Sequence, residues 1–418
     1  MSDRLLIISG DGHVALPMAE YRPYLEEKYH SAFDDLLGST AKTTINFFDV
    51  LDPELAERHK ATIYDSGAIE GHWDPERRVQ ELAKDGIVGE LLFPDGTPFS
   101  AGGLGSARTR FPGELELAGA RAYNRWVADF TAGQPALGAQ AILCLHDVAE
   151  AVKDVYRAKE LGFKSLFMPG MDDGKPLFWD PCYEPLWSAA EEVGLPLNFH
   201  GGTGMPDYGG AVLPGVPGEV RARISGFEFA WWAHRPFWFL IWSGVLERHA
   251  GLRIAFTEQH SDWVIQVLAM MDHSWHNSMM NDSLKKIVKR PPSEYYKRQV
   301  WIGSSLLSRG ELVTRDRIGT DKMMFGADFP HPEGTFGVTR EYLRATIGAT
   351  DMTDDEIRAF LGGNAASFYG FDVDALRPMA DSHGLTLDEI RVPLPQGEEE
   401  ILRRVDALRP TITLSDMR

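Results

Sequence analysis

The stretch RIAFTEQHSDW, from Arg253 to Trp263, combines a strand signal with two side chains that bind metals. Its first half, RIAFTE, is a short and largely apolar run, which is typical of a buried strand. Glu258 and His260 stand two residues apart, so their side chains point to the same face if the strand continues through them. The stretch therefore predicts a strand whose end presents a carboxylate and an imidazole.

Similar short runs recur along the chain, with helical segments between them. Helical periodicity is clearest in ELELAGARAYNRWVADFTA, DVAEAVKDVYRAKELG and CYEPLWSAAEEVG, and the last two end at glycine as a helix C-cap does. Alternating strands and helices are the signature of a parallel sheet built from βα units. Eight strands predict a (β/α)₈ TIM-like barrel, while an open doubly wound sheet is disfavoured because no glycine-rich dinucleotide turn follows the first strand. The predicted strands are Leu5–Ser9, Gly89–Pro94, Leu137–Leu143, Lys164–Pro169, Leu195–His200, Arg253–Glu258, Gln299–Ser305 and Lys322–Asp328.

Two long insertions interrupt this pattern, at residues 41–73 after the first strand and at residues 201–223 after the fifth. Both follow strand C-termini, so we expect them to cover the active face of the barrel as lids. The barrel is predicted to occupy residues 1–376. Residues 377–418 carry several prolines and are expected to form an arm that wraps the barrel or a neighbouring subunit.

Composition narrows the classes of partner. The chain has 418 residues, 44% of them hydrophobic, and 42 basic against 61 acidic residues give a net charge of −19. This charge argues against nucleic acids and anionic membranes as partners. The two cysteines, Cys144 and Cys182, are far apart and predict neither a disulfide framework nor a thiolate metal cluster. The most apolar segment, from Phe229 to Leu246, is interrupted by polar residues and proline, which disfavours a membrane span. We expect a cytoplasmic homodimer that acts on a small-molecule substrate.

Metal-binding side chains follow several of the predicted strands. In a barrel the C-terminal ends of all strands lie around one rim, so residues distant in sequence meet there. His200 alone would suit a hydrogen-bonded core histidine and Asp328 alone a turn, but imidazoles and carboxylates that converge are ligands suited to zinc, iron or manganese. Their coincidence at four strand ends predicts a metal site with the candidate ligands Asp11, His13, His200, Glu258, His260 and Asp328.

Several longer stretches resemble one known family. ISGDGHV, GHWDPERRVQELAKDGIVGELLFP, LPLNFHGG, SGVLERHAGLRIAFTEQHSDWV, MMFGADFPHPEGTF and NAASFYGFD are similar to the amidohydrolase-related group of the metal-dependent amidohydrolase superfamily. The resemblance implies a distorted (β/α)₈ barrel that hydrolyses C–N or C–O bonds or decarboxylates aromatic or unsaturated acids without oxidation. It also implies that Asp328 orients a metal-bound water and accepts its proton. Its implied metal ligands are Asp11, His13, His200 and Asp328, and Glu258 stands where relatives have histidine or glutamate.

The chain departs from this family by a surplus of potential ligands. His260 follows Glu258, and His72 and Glu70 precede the WDPE motif, where glycines are common. One interpretation is a second metal held by Glu258 and His260, with Glu70, His72 or His331 contributing. The other is that these extra residues lie in a lid or support the ligands from behind.

Two functions follow, and both require one or two divalent metals per chain, with zinc, manganese and iron as the candidate metals. The first is a hydrolase or non-oxidative decarboxylase of a small carboxylated or cyclic substrate, with Asp328, Glu258 and His260 as catalytic residues. The alternative is a nonheme diiron monooxygenase that activates O₂ to hydroxylate a bulky hydrophobic acyl-type substrate, because mixed histidine and carboxylate ligation of two irons suits that chemistry.

Overall fold

The barrel predicted from the sequence is confirmed. A computed structural model describes residues 4–40, 51–100, 111–171, 174–204, 218–277, 282–305 and 307–395. Eight parallel strands pair in chain order in one sheet, and each overlaps a predicted strand. They are β1 (Ile7–Val14), β2 (Ile87–Pro94), β3 (Leu137–Ile142), β4 (Ser165–Phe167), β5 (Leu197–His200), β6 (Ile254–Thr257), β7 (Val300–Ser305) and β8 (Met323–Gly326).

The sheet closes between β1 and the residues that follow β8. The Asp328 N–H donates to the Asp11 carbonyl at 2.9 Å, and the His13 N–H donates to the Phe329 carbonyl at 2.7 Å. Closure brings the C-terminal ends of the first and last strands side by side, which is where the sequence places several candidate ligands.

The strands read as apolar runs because both of their faces are covered. Every residue of β1, β2 and β3 is buried. In a parallel barrel the crossover helices cover the outer face and side chains fill the interior, so no strand face remains polar.

Helices surround the barrel and many of them begin and end at conventional caps. Asp74 accepts from the N–H groups of Glu76 and Arg77 to start the helix Pro75–Lys84, and Gly194 ends the helix Glu184–Val193 with φ +70°, as predicted. The helices are α1 (His30–Thr40), α2 (Pro53–His59), α3 (Pro75–Lys84), α4 (Gly113–Thr131), α5 (Val148–Glu160), α6 (Glu184–Val193), α7 (Gly218–Ala233), α8 (Arg235–Trp242), α9 (Val245–Arg248), α10 (Trp263–Asn277), α11 (Pro292–Gln299), α12 (Arg309–Val313), α13 (Arg315–Ile318), α14 (Thr339–Thr346), α15 (Asp354–Arg358), α16 (Asn364–Tyr369), α17 (Val373–His383) and α18 (Leu387–Arg391). Within the described ranges, no helix combines the length and apolarity needed to cross a bilayer.

The first predicted insertion is partly helical. Residues 41–50 lie outside the described residues, and the remainder contains α2 and two further short helical turns. Ile63 and Ala68 pack against Phe329, so this segment lies beside the loop that follows β8. Of the second insertion, residues 205–217 lie outside the described residues, and α7 begins at Gly218.

The predicted start of the arm, residue 377, lies inside α17. The chain beyond α17 returns to the start of β1, where the Leu5 N–H donates to the Leu385 carbonyl at 2.7 Å. The described part of the predicted arm therefore packs on the barrel itself, and residues 396–418 lie outside the described residues.

Candidate metal centre

Asp11 and His13 are buried on β1, two residues apart and facing the same side. His13 Nε2 lies 3.5 Å from Asp11 Oδ1. Ser305, the last residue of β7, donates a hydrogen bond to Asp11 Oδ2 and leaves Oδ1 without a partner. Gly12 separates the pair because a Cβ there would overlap the Glu90 carboxyl group.

His200, at the end of β5, connects this pair to Glu258. Its Nε2 lies 3.4 Å from Asp11 Oδ1, and its Nδ1 lies 3.4 Å from Glu258 Oε2. One ligand atom from each of Asp11, His13, His200 and Glu258 lies within 4.8 Å of the others. Residues from three separated strand ends thus meet at one point, as the sequence predicted.

Asp328 stands in the loop after β8 with a φ of +57°. Its Oδ1 lies 3.2 Å from His13 Nε2 and 3.0 Å from His331 Nδ1. His331 also faces Asp95, with 3.7 Å between Nε2 and Oδ1. In a second set, from Glu258, Asp328, His331 and Glu333, one ligand atom of each residue lies within 4.8 Å of the others. The same holds for a third set, which consists of His13, Asp95 and His331.

The prediction that Glu258 and His260 point to the same face assumed that the strand extends through both residues, and this assumption is wrong. Strand β6 ends at Thr257, and Glu258 and His260 each have a φ of +56°, so the alternation of an extended strand stops before them. Glu258 reaches the centre, whereas His260 belongs to none of the converging sets found among the described residues. The His260 carbonyl accepts from Trp263 Nε1 at 3.2 Å.

The other surplus residues occupy different places. Glu70 is exposed on the surface, away from the converging ligands. His72 Nε2 lies 3.1 Å from Asp95 Oδ2, so His72 stands behind Asp95 and does not face the centre directly. His331 lies within the centre.

Sequence reasoning missed Asp95, Glu333 and Ser305. Asp95 directly follows β2 and Ser305 ends β7, so both satisfy the rule of strand ends that identified the other ligands. Glu333 lies only two residues beyond His331, in the same loop.

The centre has the properties of a divalent metal site. Asp11 Oδ1, His13 Nε2, His200 Nε2 and both carboxylate oxygens of Asp328 are buried and have no hydrogen-bond partner. Buried polar atoms are costly unless they are satisfied, and cations bound among these atoms would satisfy them. Imidazole nitrogens with carboxylate oxygens are the donor set that manganese, zinc and iron accept.

The protonation states of His13 and Asp328 suit cation binding, whereas Glu258 would release a proton on binding a cation. Burial lowers the pKa of His13, so its ring is neutral at neutral pH. Although burial opposes it, the neighbouring His331 and His13 lower the pKa of Asp328, which is therefore ionised. Burial, reinforced by the charges of Asp328 and Asp11, raises the pKa of Glu258 well above its ordinary value. A neutral imidazole and an ionised carboxylate are the forms that ligate metals.

The chain is similar to known proteins. The amidohydrolase family model matches residues 68–371. The 2-amino-3-carboxymuconate-6-semialdehyde decarboxylase of Dictyostelium discoideum is 23% identical over 311 residues, which cover 72% of this chain and 77% of that protein.

Solved structures share the fold. The 5-carboxyvanillate decarboxylase of Sphingomonas paucimobilis has a TM-score of 0.64 and 19% identity, covering 88% of this chain and 100% of that chain. A dihydroxybenzoic acid decarboxylase from Polaromonas sp. JS666, solved with bound manganese and the inhibitor 2-nitroresorcinol, has a TM-score of 0.59 and 18% identity, covering 88% of this chain and 97% of that chain.

The family model spans most of the barrel and includes three of the four strand ends that supply the centre. These matches give no support to the monooxygenase alternative. The resemblance seen in the sequence is thus confirmed, and the chain belongs to the amidohydrolase family, as an enzyme of the hydrolase or decarboxylase type.

Proposed function

We propose that the chain is a divalent-metal-dependent decarboxylase that releases CO₂ without oxidation from a small aromatic or unsaturated carboxylic acid. The observation that carries the proposal is the convergence of ligand atoms from Asp11, His13, His200 and Glu258 at the mouth of the barrel, with the buried and unpartnered carboxylate of Asp328 beside His13. Relatives with this fold that are named as decarboxylases support this reaction, and the manganese bound to one of them supports manganese as the metal.

Asp11, His13, His200 and Glu258 would hold the metal, since their ligand atoms already lie together. When bound, a divalent cation polarises the substrate's oxygen atoms as a Lewis acid and fixes the substrate's orientation. Ser305 holds Asp11 in place through its hydrogen bond to Oδ2.

Asp328 handles the proton of the reaction. Its ionised carboxylate accepts a proton from an acidic hydroxyl group of the substrate, and His13 and His331 hold the carboxylate at 3.2 and 3.0 Å. The bond between the substrate's ring carbon and its carboxylate then breaks, and its electron pair remains on that carbon. Asp328 donates the proton to the carbon, CO₂ leaves, and a solvent proton restores the hydroxyl group.

Aromatic side chains flank the ligands and suit a flat, unsaturated substrate. The Phe93 ring lies 4.5 Å from the His200 ring and 5.9 Å from the His13 ring, measured between centroids. Phe229 packs against Gly201, directly after His200, where a Cβ would overlap the phenyl ring.

The test is CO₂ release by manganese-loaded protein from a panel of hydroxylated benzoic acids and unsaturated dicarboxylic acids, with product identity checked by chromatography. Asp328→Asn is expected to abolish CO₂ release, because an amide cannot accept and return the proton. Asp35→Asn, at an exposed position on α1, is the matched control and should leave the rate unchanged. Hydrolysis of an amide or lactone panel without CO₂ release from any acid would contradict decarboxylation.

A further inference from the structure

We propose that a second divalent cation binds beside the first, held by Glu258, Asp328, His331 and Glu333. The inference rests on the proposed metal-dependent function, since Glu258 also belongs to the first set of ligands and would be shared by both ions. It adds a site that uses two residues, His331 and Glu333, that the proposed decarboxylation does not require as metal ligands.

The geometry of this set matches that of the first. One ligand atom from each of its four residues lies within 4.8 Å of the others. The side chain of Asp328 is completely buried and both of its oxygens lack a hydrogen-bond partner, as does His331 Nδ1. An unpartnered buried carboxylate aimed at an imidazole and two further carboxylates is a site that a cation would complete.

The loop after β8 is folded to present these ligands together. The His331 N–H donates to the Asp328 carbonyl at 2.9 Å, and the Gly334 N–H donates to the His331 carbonyl at 3.0 Å. These successive turns fix the backbone around His331 and Glu333, so neither ligand depends on a long flexible segment.

His331 is oriented as a metal-binding histidine. Its Nε2 faces Asp95 Oδ1 at 3.7 Å, and Asp95 Oδ2 in turn lies 3.1 Å from His72 Nε2. Ligating histidines commonly direct their second nitrogen to a carboxylate, which sets the ring orientation and strengthens the ligand. With Nε2 engaged by Asp95, Nδ1 is the nitrogen left to face Asp328 and the site.

Charge also favours two ions. The two overlapping sets contain the carboxylates of Asp11, Glu258, Asp328 and Glu333 in a largely buried space. Carboxylates that lie buried together are strongly unfavourable in their ionised forms unless counter-ions lie among them. A dication on the Glu258 and Glu333 side would supply such a counter-ion there.

The experiment loads the full-length protein with Mn²⁺, removes loosely bound metal by desalting, and measures manganese per chain together with the EPR spectrum. We expect two ions per chain and the spectrum of an exchange-coupled Mn²⁺ pair. His331→Asn and Glu333→Gln should each reduce the content to one ion per chain and give the spectrum of an isolated Mn²⁺. Glu70→Gln, which removes an exposed carboxylate of the neighbouring segment, is the matched control and should retain two ions.

One ion per wild-type chain, with the spectrum of an isolated ion, would overturn the second site and leave the proposed function standing. Two ions that persist in both His331→Asn and Glu333→Gln would overturn the ligand assignment. Wild-type protein that retains no manganese would instead contradict the proposed function itself, so the two failures are distinguishable.

Discussion

Arg78 and Glu90 form a completely buried ion pair, with 2.6 Å between Arg78 Nε and Glu90 Oε2. The same guanidinium donates to the carbonyl of His13 at 3.0 Å and to that of Phe329 at 3.3 Å. It also lies over the Phe329 ring, 4.1 Å from the centroid. One side chain therefore joins the ligand strand β1 to the loop that carries Asp328.

Replacing Arg78 with methionine should destabilise the protein strongly. The change leaves the Glu90 carboxyl group buried without its partner, and breaking a buried pair in this way costs about 3 to 5 kcal/mol. Urea unfolding followed by circular dichroism measures the loss. Arg22→Met is the control, because the Arg22–Asp34 pair is exposed at the surface and its removal should change little. Equal stability losses in the two variants would contradict the structural role of the buried pair.

Ser305→Ala is expected to weaken metal binding without unfolding the barrel. The hydroxyl group donates to Asp11 Oδ2 and fixes which oxygen faces the centre. Loss of such a supporting hydrogen bond typically lowers metal affinity by about 10-fold to 100-fold. Competition for Mn²⁺ with a chelator of known affinity measures the change. Ser39→Ala on α1, where an exposed hydroxyl donates to the Leu36 carbonyl in the same helix, serves as control. An unchanged affinity for Mn²⁺ would show that Asp11 needs no such support.

His260→Ala should leave the metal content unchanged. In the described part of the chain, His260 is absent from all three sets of converging ligands, although it follows Glu258 closely in sequence. Elemental analysis measures the metal content per chain of purified His260→Ala and of His200→Ala, which removes a converging ligand and serves as the comparison. Loss of one metal equivalent in His260→Ala would contradict this prediction and show that His260 is a metal ligand.

Acid should weaken the fold partly through His234. Burial lowers the pKa of His234 to about 4, its ring stacks on Trp263 at 3.9 Å, and Nε2 bonds the Gln259 carbonyl at 3.3 Å. Between pH 6.5 and 4 the unfolded chain binds a proton at this residue that the folded chain does not, so stability falls as pH falls through this window. The loss amounts to about 3 kcal/mol by pH 4.

The comparison that isolates this effect is the free energy of unfolding of wild type and His234→Gln at several pH values between 4 and 7. The variant should be less stable near pH 7, where the hydrogen bond is lost, but its stability should fall less steeply on acidification. Parallel pH profiles for the two proteins would exclude His234 as the cause.

The fold was readable from the sequence because parallel barrel strands are buried on both faces and appear as isolated apolar runs. Even the short strand β4, three residues long, was located, although the predicted run extended one residue before and two beyond it. Met168 and Pro169 are as apolar as the strand, but regular pairing with β3 and β5 ends at Phe167, and no local pattern in the sequence shows where pairing ends.

The site was readable only where its geometry follows from regular structure. Asp11 and His13 obey strand alternation, so the prediction that they face together is confirmed. At Glu258 and His260 the backbone turns into left-handed conformations, which side-chain periodicity cannot reveal, since non-glycine residues rarely adopt them. Asp95 directly follows β2, but it was not predicted as a ligand, because no histidine stands beside it to complete a metal-binding pattern.

The barrel closes at the point where its ligands meet. Asp11 and His13 belong to the first strand, whereas Asp328 and His331 follow the last, and backbone hydrogen bonds join these two parts of the chain. During synthesis on the ribosome, the first two ligands emerge long before their partners exist. A nascent chain therefore cannot assemble the complete centre, and tight retention of a cation would report that the eighth strand has docked against the first.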